Sequence, residues 1–294
     1  MFPKFDAKAV WSRWLNTLLP QVTLFMCVPT VYARLISYYD ENLAVTQPGA
    51  VKAACQKFRL QICGSAALPS PIKRKWEQIS GGVVLLERYG MTEIGMALSN
   101  GFEAEKRIDG SVGWALPGVT VRLISADGLE RDVTKEDNEP GEIQVKGENV
   151  FVEYWRKPKE TAKEFTPDGW FKTGDIAVSR QEHDGALFIQ GRANVDIIKS
   201  GGYKISALDV ERELLSLHII GEAAVVGLED EEWGQRVAAV VTLGNGTKEL
   251  KLKDLRNMMR KHMAPYKIPT VLKVVDEIPR NKMGKGISEF QGKC

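Results

Sequence analysis

A short run of chemically mixed residues, Glu87-Arg88-Tyr89-Gly90-Met91-Thr92-Glu93, directly follows an apolar segment of the sequence. In an open α/β sheet, the residues that follow such a strand lie at the crevice where ligands bind. Tyr89 could stack on a purine, Thr92 could donate a hydrogen bond to a phosphate oxygen, and Glu93 could bind Mg²⁺ through its carboxylate oxygens. Composition alone also fits an ordinary exit from a strand into a loop, so both interpretations stay open at this point.

Three later segments offer further groups that could contact a ligand. Gly169-Trp170-Phe171-Lys172-Thr173-Gly174-Asp175 places an acid at the end of a glycine-bracketed turn, where it could accept hydrogen bonds from vicinal ribose hydroxyls. Gly191-Arg192-Ala193-Asn194 precedes two adjacent glycines, Gly201 and Gly202, which allow the backbone to approach a ligand closely. Pro279-Arg280-Asn281-Lys282-Met283-Gly284-Lys285 puts a lysine on a flexible loop. Together these segments weaken the interpretation of 87–93 as an ordinary loop.

The composition sets broad limits on the kind of protein this is. The 294 residues are 44% apolar and 27% charged, which is ordinary globular usage and enough for one large or two modest domains. A formal charge of +2 gives no electrostatic reason to expect nucleic-acid binding. The four cysteines show neither a C-x-x-C pair nor a disulfide framework, and the three histidines are too dispersed to suggest a zinc site. No apolar run approaches the roughly 20 residues of a transmembrane helix.

The first hundred residues alternate short apolar runs with helical stretches. Apolar runs at 22–28, 60–63 and 83–86 alternate with helical patterns at 32–39 and 71–79, which predicts an α/β layer with partly parallel strand pairing. Residues 1–19 also have apolar side chains at helical spacing, and Asp6 and two tryptophans favour a helix packed on the core over a weak transit peptide.

The remaining residues form two further patterns. Residues 110–190 alternate short strand-like runs with turns, which predicts a small antiparallel sheet or barrel. After Gly191, a capping box of Ser206 and Asp209, two strand-like runs and a helix near 252–263 predict a compact α+β domain of about 100 residues. We therefore expect two domains, 1–190 and 191–294.

These motifs together resemble the adenylate-forming superfamily, which contains acyl-CoA synthetases, luciferases and peptide-synthetase adenylation domains. They occur in the family's order, from Val28-Pro29-Thr30 to Lys285, and cover nearly the whole chain. The resemblance implies an α/β fold: the C-terminal portion of a large AMP-binding domain, made of an α/β layer and a small β-barrel, followed by a mobile α+β C-terminal domain.

The resemblance also implies roles for individual residues. In the large domain, the adenine site would be lined by Gly64, Ser65, Ala66, Ala67 and Tyr89, the α-phosphate would be contacted by Thr92, and Mg²⁺ would be bound by Glu93. The ribose would be held by Asp175 with help from Arg192. The reacting carboxylate and phosphate would be contacted by Lys285, the domain hinge would be Asn194, and the channel for the CoA thiol would be approached by Gly201 and Gly202.

The implied reaction is ATP-dependent ligation of an acid to CoA through an acyl-adenylate, with ATP, Mg²⁺ and CoA as cofactors and substrates. No stretch matches the family's Ser/Thr/Gly-rich loop that ends in Pro-Lys-Gly, so we expect this loop to precede residue 1 in a longer protein. The residues after Lys285 also depart from the usual family pattern. The alternative is a catalytically inactive fragment that binds a nucleotide, CoA or a protein partner.

Arg88 indicates which acid would be activated. Many members of the family have a neutral residue at this position, whereas an arginine could pair bidentately with the second carboxylate of a dicarboxylic acid. The run around Arg88 is similar to malonyl-CoA synthetases, and Arg34 lies in a second similar context, so malonate is expected and methylmalonate is possible. The simpler alternative is that Arg88 pairs with Glu87 or Glu93, and that Arg34 is a solvated helix residue. The resemblance further implies a monomer in the mitochondrial matrix that contacts no nucleic acid.

Overall fold

The computed structural model describes residues 5–125, 129–193, 195–244, 247 and 249–278. The chain divides into two compact units. The first unit contains residues 1–120 and 146–153, and the second contains residues 121–145 and 154–294. The domain boundary at 190/191 stays a prediction. The chain is a mixed α/β protein, as its sequence predicts.

The described residues contain α-helices and β-strands that we number in chain order. The helices are α1 Ala7–Leu15, α2 Pro29–Asn42, α3 Pro48–Gln56, α4 Ser70–Ser80, α5 Pro158–Glu164, α6 Ala207–Ser216 and α7 Leu252–Met259. The strands are β1 Leu24–Cys27, β2 Leu60–Cys63, β3 Leu86–Met91, β4 Gly95–Ser99, β5 Trp114–Ala115, β6 Val119–Ser125, β7 Gly141–Gly147, β8 Phe171–Arg180, β9 Ala186–Arg192, β10 Ile197–Ser200, β11 Tyr203–Ser206, β12 Ile220–Asp230, β13 Gly234–Leu243 and β14 Val271–Val274. None of the helices in the described ranges is long and apolar enough to cross a membrane.

The first unit contains a five-stranded sheet in the order β1–β2–β3–β4–β5. β1, β2 and β3 are parallel, and the connections between them run through α2, α3 and α4, as parallel pairing requires. β4 then pairs antiparallel with β3 through a tight turn. Cys27 is opposite Cys63, and Cys63 is opposite Glu87, so the carboxyl end of the sheet lies beside Glu87 and Arg88.

The core of the first unit is an aromatic cluster under the sheet. Trp11 of α1 is 1% exposed and stacks on Trp76 of α4 with the ring centroids 5.9 Å apart. Tyr32 of α2 packs edge-to-face on Trp76 at 4.8 Å. Both indole N–H groups are satisfied: Trp11 donates to the carbonyl of Leu35 at 3.0 Å, and Trp76 donates to Gln61 Oε1 at 2.7 Å. The expectation that the first helix packs on the core is confirmed.

The second unit contains two sheets. The first is a four-stranded sheet in the order β6–β7–β8–β9, and the second has the order β11–β10–β13–β12, with β14 added parallel to β13. The predicted start of α6 at Ser206 is confirmed, because Ser206 Oγ accepts a hydrogen bond from the backbone N–H of Asp209 at 3.1 Å. The carboxylate of Asp209 pairs with Arg212 and Lys267. The sequence did not predict β8. This strand includes Asp175, which was expected at the end of a turn.

Candidate active site

Arg88 lies next to Gly64 at the carboxyl end of the parallel strands. Gly64 follows β2, and Arg88 is the third residue of β3. A Cβ at Gly64 would stand 3.2 Å from the backbone oxygen of Arg88 and 3.7 Å from its Cγ. A larger residue would therefore crowd the base of the arginine side chain. Residues 65–67 are exposed beyond this point, and Ser65 has a φ of 65°.

The guanidinium of Arg88 faces a thioether instead of a carboxylate. Its Nη2 is 3.1 Å from Met26 Sδ, on the sheet face that also carries the buried apolar residues Ile62 and Leu86. Glu87 is instead bound to Lys73, whose Nζ is 3.0 Å from Glu87 Oε1. Among the described residues of the first unit, no carboxylate lies within ion-pair distance of Arg88. The alternative in which Arg88 pairs with Glu87 or Glu93 is therefore wrong for these residues.

Tyr89, Thr92 and Glu93 belong to one hairpin. The strand extends to Met91, so Tyr89 lies within β3, and the exposed Thr92 and half-buried Glu93 form the turn to β4. The backbone N–H of Phe151 donates to the carbonyl of Glu93 at 2.7 Å. A Cβ on Gly90 would lie 2.0 Å from the carbonyl oxygen of Gly95, so only glycine fits at that position of the hairpin. The three predicted ligand-binding residues are thus held close together by one tight turn.

The chemistry of this turn fits Mg²⁺. Thr92 and Glu93 supply hard oxygen donors, and Mg²⁺ is usually bound by one or two carboxylates together with substrate phosphates. No group of three or more histidine, cysteine or acidic side chains in the described part of the chain could hold a metal by itself. Phosphate oxygens and water would have to complete the coordination of an ion at Glu93.

Asp175 and Arg192 are cross-strand neighbours in the second unit. Asp175 lies within β8, directly opposite Arg192 on β9, and the distance from Arg192 Nε to Asp175 Oδ1 is 3.3 Å. The expectation that Asp175 ends a turn is wrong, because β8 extends from Phe171 to Arg180, with an irregularity in its register to β7 between Lys172 and Ile176. Asp175 is 7% exposed, and its backbone N–H donates to Thr173 Oγ1 at 3.1 Å. The arginine and the aspartate expected to act together are therefore in contact.

Gly201 and Gly202 form the turn of the hairpin between β10 and β11. Their φ angles are +55° and +82°, which favours glycine at both positions. A Cβ on Gly201 would lie 2.7 Å from the ring of Trp233, which is half exposed. Sequence reasoning missed Trp233, because a single aromatic residue 32 positions away in the sequence gives no sign of this contact. Asn194 and Lys285 lie outside the described residues.

Cys27, Cys55 and Cys63 are protonated at neutral pH, and Cys55 and Cys63 are buried. Burial raises the pKa of Cys27 and of Cys55 to about 12, and it raises the pKa of Cys63, the residue before Gly64, well above its ordinary value. A thiol is nucleophilic only when ionised. Cys63 is therefore unsuited to act as a nucleophile at this site.

Two family models match parts of the chain. The family model described as AMP-binding enzyme matches residues 1–155, and the model described as AMP-binding enzyme C-terminal domain matches residues 209–285. The chain belongs to the AMP-binding enzyme family. The first match includes Gly64, Arg88, Tyr89, Thr92 and Glu93.

Individual AMP-binding relatives are similar over nearly the whole chain. The mitochondrial malonate–CoA ligase of Bos taurus is 50% identical over 97% of this chain and 51% of its own length. The malonate–CoA ligase of Arabidopsis thaliana is 39% identical over 96% of this chain and 47% of its own length. ATP-bound MatB from Rhodopseudomonas palustris superposes with a TM-score of 0.83 at 33% identity, over 99% of this chain and 53% of that one. The chain thus spans about half the length of the curated relatives it matches.

Proposed function

We propose that this chain is the C-terminal part of an AMP-forming acid:CoA ligase whose acid is malonate. Arg88 carries this proposal. Its guanidinium has no carboxylate partner among the described residues of the first unit, and it lies next to Gly64 and Tyr89 at the carboxyl end of the sheet. A half-buried guanidinium gains most from a ligand that supplies a carboxylate in bidentate geometry. The names of the relatives in Bos taurus and Arabidopsis thaliana support malonate as that ligand.

The first half-reaction makes the acid reactive. One carboxylate of malonate attacks the α-phosphorus of ATP, the bond from that phosphorus to the bridging oxygen breaks, and pyrophosphate leaves. Thr92 would donate a hydrogen bond to an α-phosphate oxygen, and Lys285 would contact the reacting carboxylate and phosphate. Glu93, together with phosphate oxygens, would hold Mg²⁺, which would supply positive charge for the crowded transition state. Arg88 would hold the second carboxylate, with Arg34 as a further candidate contact.

The second half-reaction transfers the acyl group. The thiolate of CoA attacks the acyl carbonyl, the new C–S bond forms, and AMP leaves with the electrons of the broken C–O bond. During both steps the ribose would be held by Asp175 and Arg192, and the adenine would lie between Tyr89 and Gly64, Ser65 and Ala66. Movement at Asn194 would bring Gly201 and Gly202 towards the CoA thiol. We further propose a monomer in the mitochondrial matrix, and methylmalonate as a second acid.

The deciding experiment measures AMP release by the purified chain with malonate, ATP and CoA. Arg88→Ala is expected to lower kcat/KM for malonate by about 30-fold or more, because truncating one partner of a desolvated charge pair costs at least about 2 kcal/mol. Arg74→Ala, an exposed arginine on α4, is the matched control and should leave the rate unchanged. Acetate, which has no second carboxylate, should be a poor substrate for the unchanged chain.

Two outcomes would count against this function. If Arg88→Ala lowered kcat/KM equally for malonate and for acetate, Arg88 would not be the residue that binds the second carboxylate. Binding of AMP without AMP release from any acid would favour the alternative, a nucleotide-binding module without ligase activity. AMP binding by calorimetry on the same preparation separates that result from misfolding.

A further inference from the structure

The side chain of Arg88 lies across one face of the parallel strands. Met26 on β1 is opposite Ile62 on β2, and Ile62 is opposite Leu86 on β3. Leu86 and Arg88 are two residues apart in β3, so Arg88 lies on the same face as Met26. The stem of Arg88 passes Gly64, where a Cβ would stand 3.7 Å from its Cγ. Its Nη2 then reaches Met26 Sδ at 3.1 Å, so the side chain crosses β2 and ends beside β1.

Met26 is a weak and neutral hydrogen-bond acceptor for this cation. A guanidinium has five N–H donors, and a thioether sulfur accepts hydrogen bonds only weakly. Within the part of the chain that the structure describes, Met26 Sδ is the acceptor for the guanidinium of Arg88. Met26 is also half exposed, so its flexible side chain can move aside at little cost in buried area. The contact therefore orients the guanidinium without neutralising its charge.

We propose that Met26 borders the site of the second carboxylate of the acid and is a specificity-determining residue, because its neutral contact leaves the charge of Arg88 available. This inference rests on the proposed function of Arg88 as the group that binds the second carboxylate. A carboxylate binds a guanidinium more strongly than a thioether does, because its hydrogen bonds are charge-assisted and can be bidentate. The carboxylate of malonate would therefore replace the sulfur beside β1. An acidic residue at position 26 would occupy that place itself.

The variants Met26→Glu and Met26→Gln separate the effect of charge from the effect of shape. The Cδ atom of either new side chain would take the place of the Met26 Sδ, so its oxygens would reach the guanidinium of Arg88. Only Met26→Glu adds a charge, and its carboxylate would compete with the acid as a built-in partner of Arg88. Leu24→Glu is the matched control for charge, because Leu24 lies on the same face of β1 but about 7 Å earlier along the strand.

The first test measures kcat and KM for malonate and for acetate with the full chain. Met26→Glu is expected to raise the KM for malonate at least about tenfold and to change kcat less than about threefold, because it blocks binding remote from the reacting carboxylate. Its kcat/KM for acetate should stay within about threefold, since acetate has no second carboxylate. Met26→Gln and Leu24→Glu should keep the KM for malonate within about threefold of the unchanged chain. A similar loss of kcat with both acids would indicate a merely structural role and would overturn the proposal.

A second measurement needs no substrate and keeps this inference separate from the proposed function. Phenylglyoxal modifies arginine side chains and reacts more slowly with an arginine in an ion pair, and peptide mass spectrometry follows its rate at Arg88. Arg88 is expected to react about fivefold more slowly in Met26→Glu than in Met26→Gln, and Leu24→Glu should match the unchanged chain. If the unchanged chain releases no AMP with malonate but these rates hold, the proposed function fails and the placement of the Arg88 charge beside residue 26 stands. Equal rates in Met26→Glu and Met26→Gln would overturn the role of Met26. If Met26→Glu does not fold, Met26→Asp and Met26→Asn replace the pair.

Discussion

Residues that are neighbours in the sequence can have separate environments, and Glu87 and Arg88 illustrate this. Their opposite charges suggest mutual pairing when only the sequence is read, but strand alternation sends one to α4 and the other to Met26. The sequence identified Arg88 as important from its charge and its position before Tyr89. It could not identify Lys73, because the contact that gives Lys73 its meaning comes from helix packing across 14 residues.

The raised pKa values of the thiols of Cys27 and Cys55 predict a loss of stability at alkaline pH. The pKa of Cys27 and of Cys55 is about 12 in the folded chain, above the value of about 8.5 for an unfolded thiol. The stabilising contribution is therefore complete below about pH 8 and is lost as the pH rises through the folded pKa, at about 1.4 kcal/mol per pH unit for each thiol. Urea unfolding from about pH 8 to about pH 10 should show this decline. The variant Cys27→Ala/Cys55→Ala should show a shallower slope, and an equal slope would contradict the assignment.

Among the elements, the hairpin of β3 and β4 determines the geometry of the predicted ligand residues. The apolar run at 83–86 predicted a strand there, but the strand begins at Leu86 and continues to Met91. The sequence did not predict that the strand continues through residues 87–89, because their strand conformation depends on pairing with β2 and β4 and not on their own propensity. Sequence reasoning also gave no prediction of α3, since Pro48 and Gly49 suggest a turn although Pro48 opens the helix.

Two glycines test the importance of this hairpin. Gly90→Ala would bring a methyl group within 2.0 Å of the carbonyl of Gly95 and should unfold the turn, lowering both the free energy of unfolding and AMP affinity. Gly49→Ala in α3 meets nothing within 4 Å and should stabilise the chain by about 0.5–1 kcal/mol. Denaturant unfolding and AMP calorimetry on both variants check this contrast. A Gly90→Ala chain with unchanged affinity and stability would show that the turn can relax.

At the scale of the whole molecule, β1 is the outermost described strand of its sheet. Its two outward-facing residues, Leu24 and Met26, are 37% and 52% exposed. An exposed apolar edge strand can pair with other chains. The sequence predicted the parallel layer but not which strand would lie at its edge, because strand order is set by the crossover connections and not by local composition.

The isolated chain is expected to associate weakly through this edge, whereas the monomer proposed above is the expectation for the longer ligase. Leu24→Lys places a charge on the edge strand and should reduce association measured by sedimentation velocity across a range of concentrations. Val45→Lys, a highly exposed position outside any strand, is the matched control and should leave association unchanged. If both variants behave like the unchanged chain, β1 is not the contact surface. If the unchanged chain is monomeric throughout, the edge is protected and the proposed monomer is supported.

The contact between Gly201 and Trp233 gives the chain an intrinsic optical reporter. Indole emission depends on the polarity and mobility of its surroundings, and this half-exposed ring lies against the glycine turn proposed to approach CoA. A molecule that reaches the turn would change the solvation of the ring directly. The difference in emission between the unchanged chain and a Trp233→Phe variant would follow events at this hairpin in real time, without any label attached to the protein.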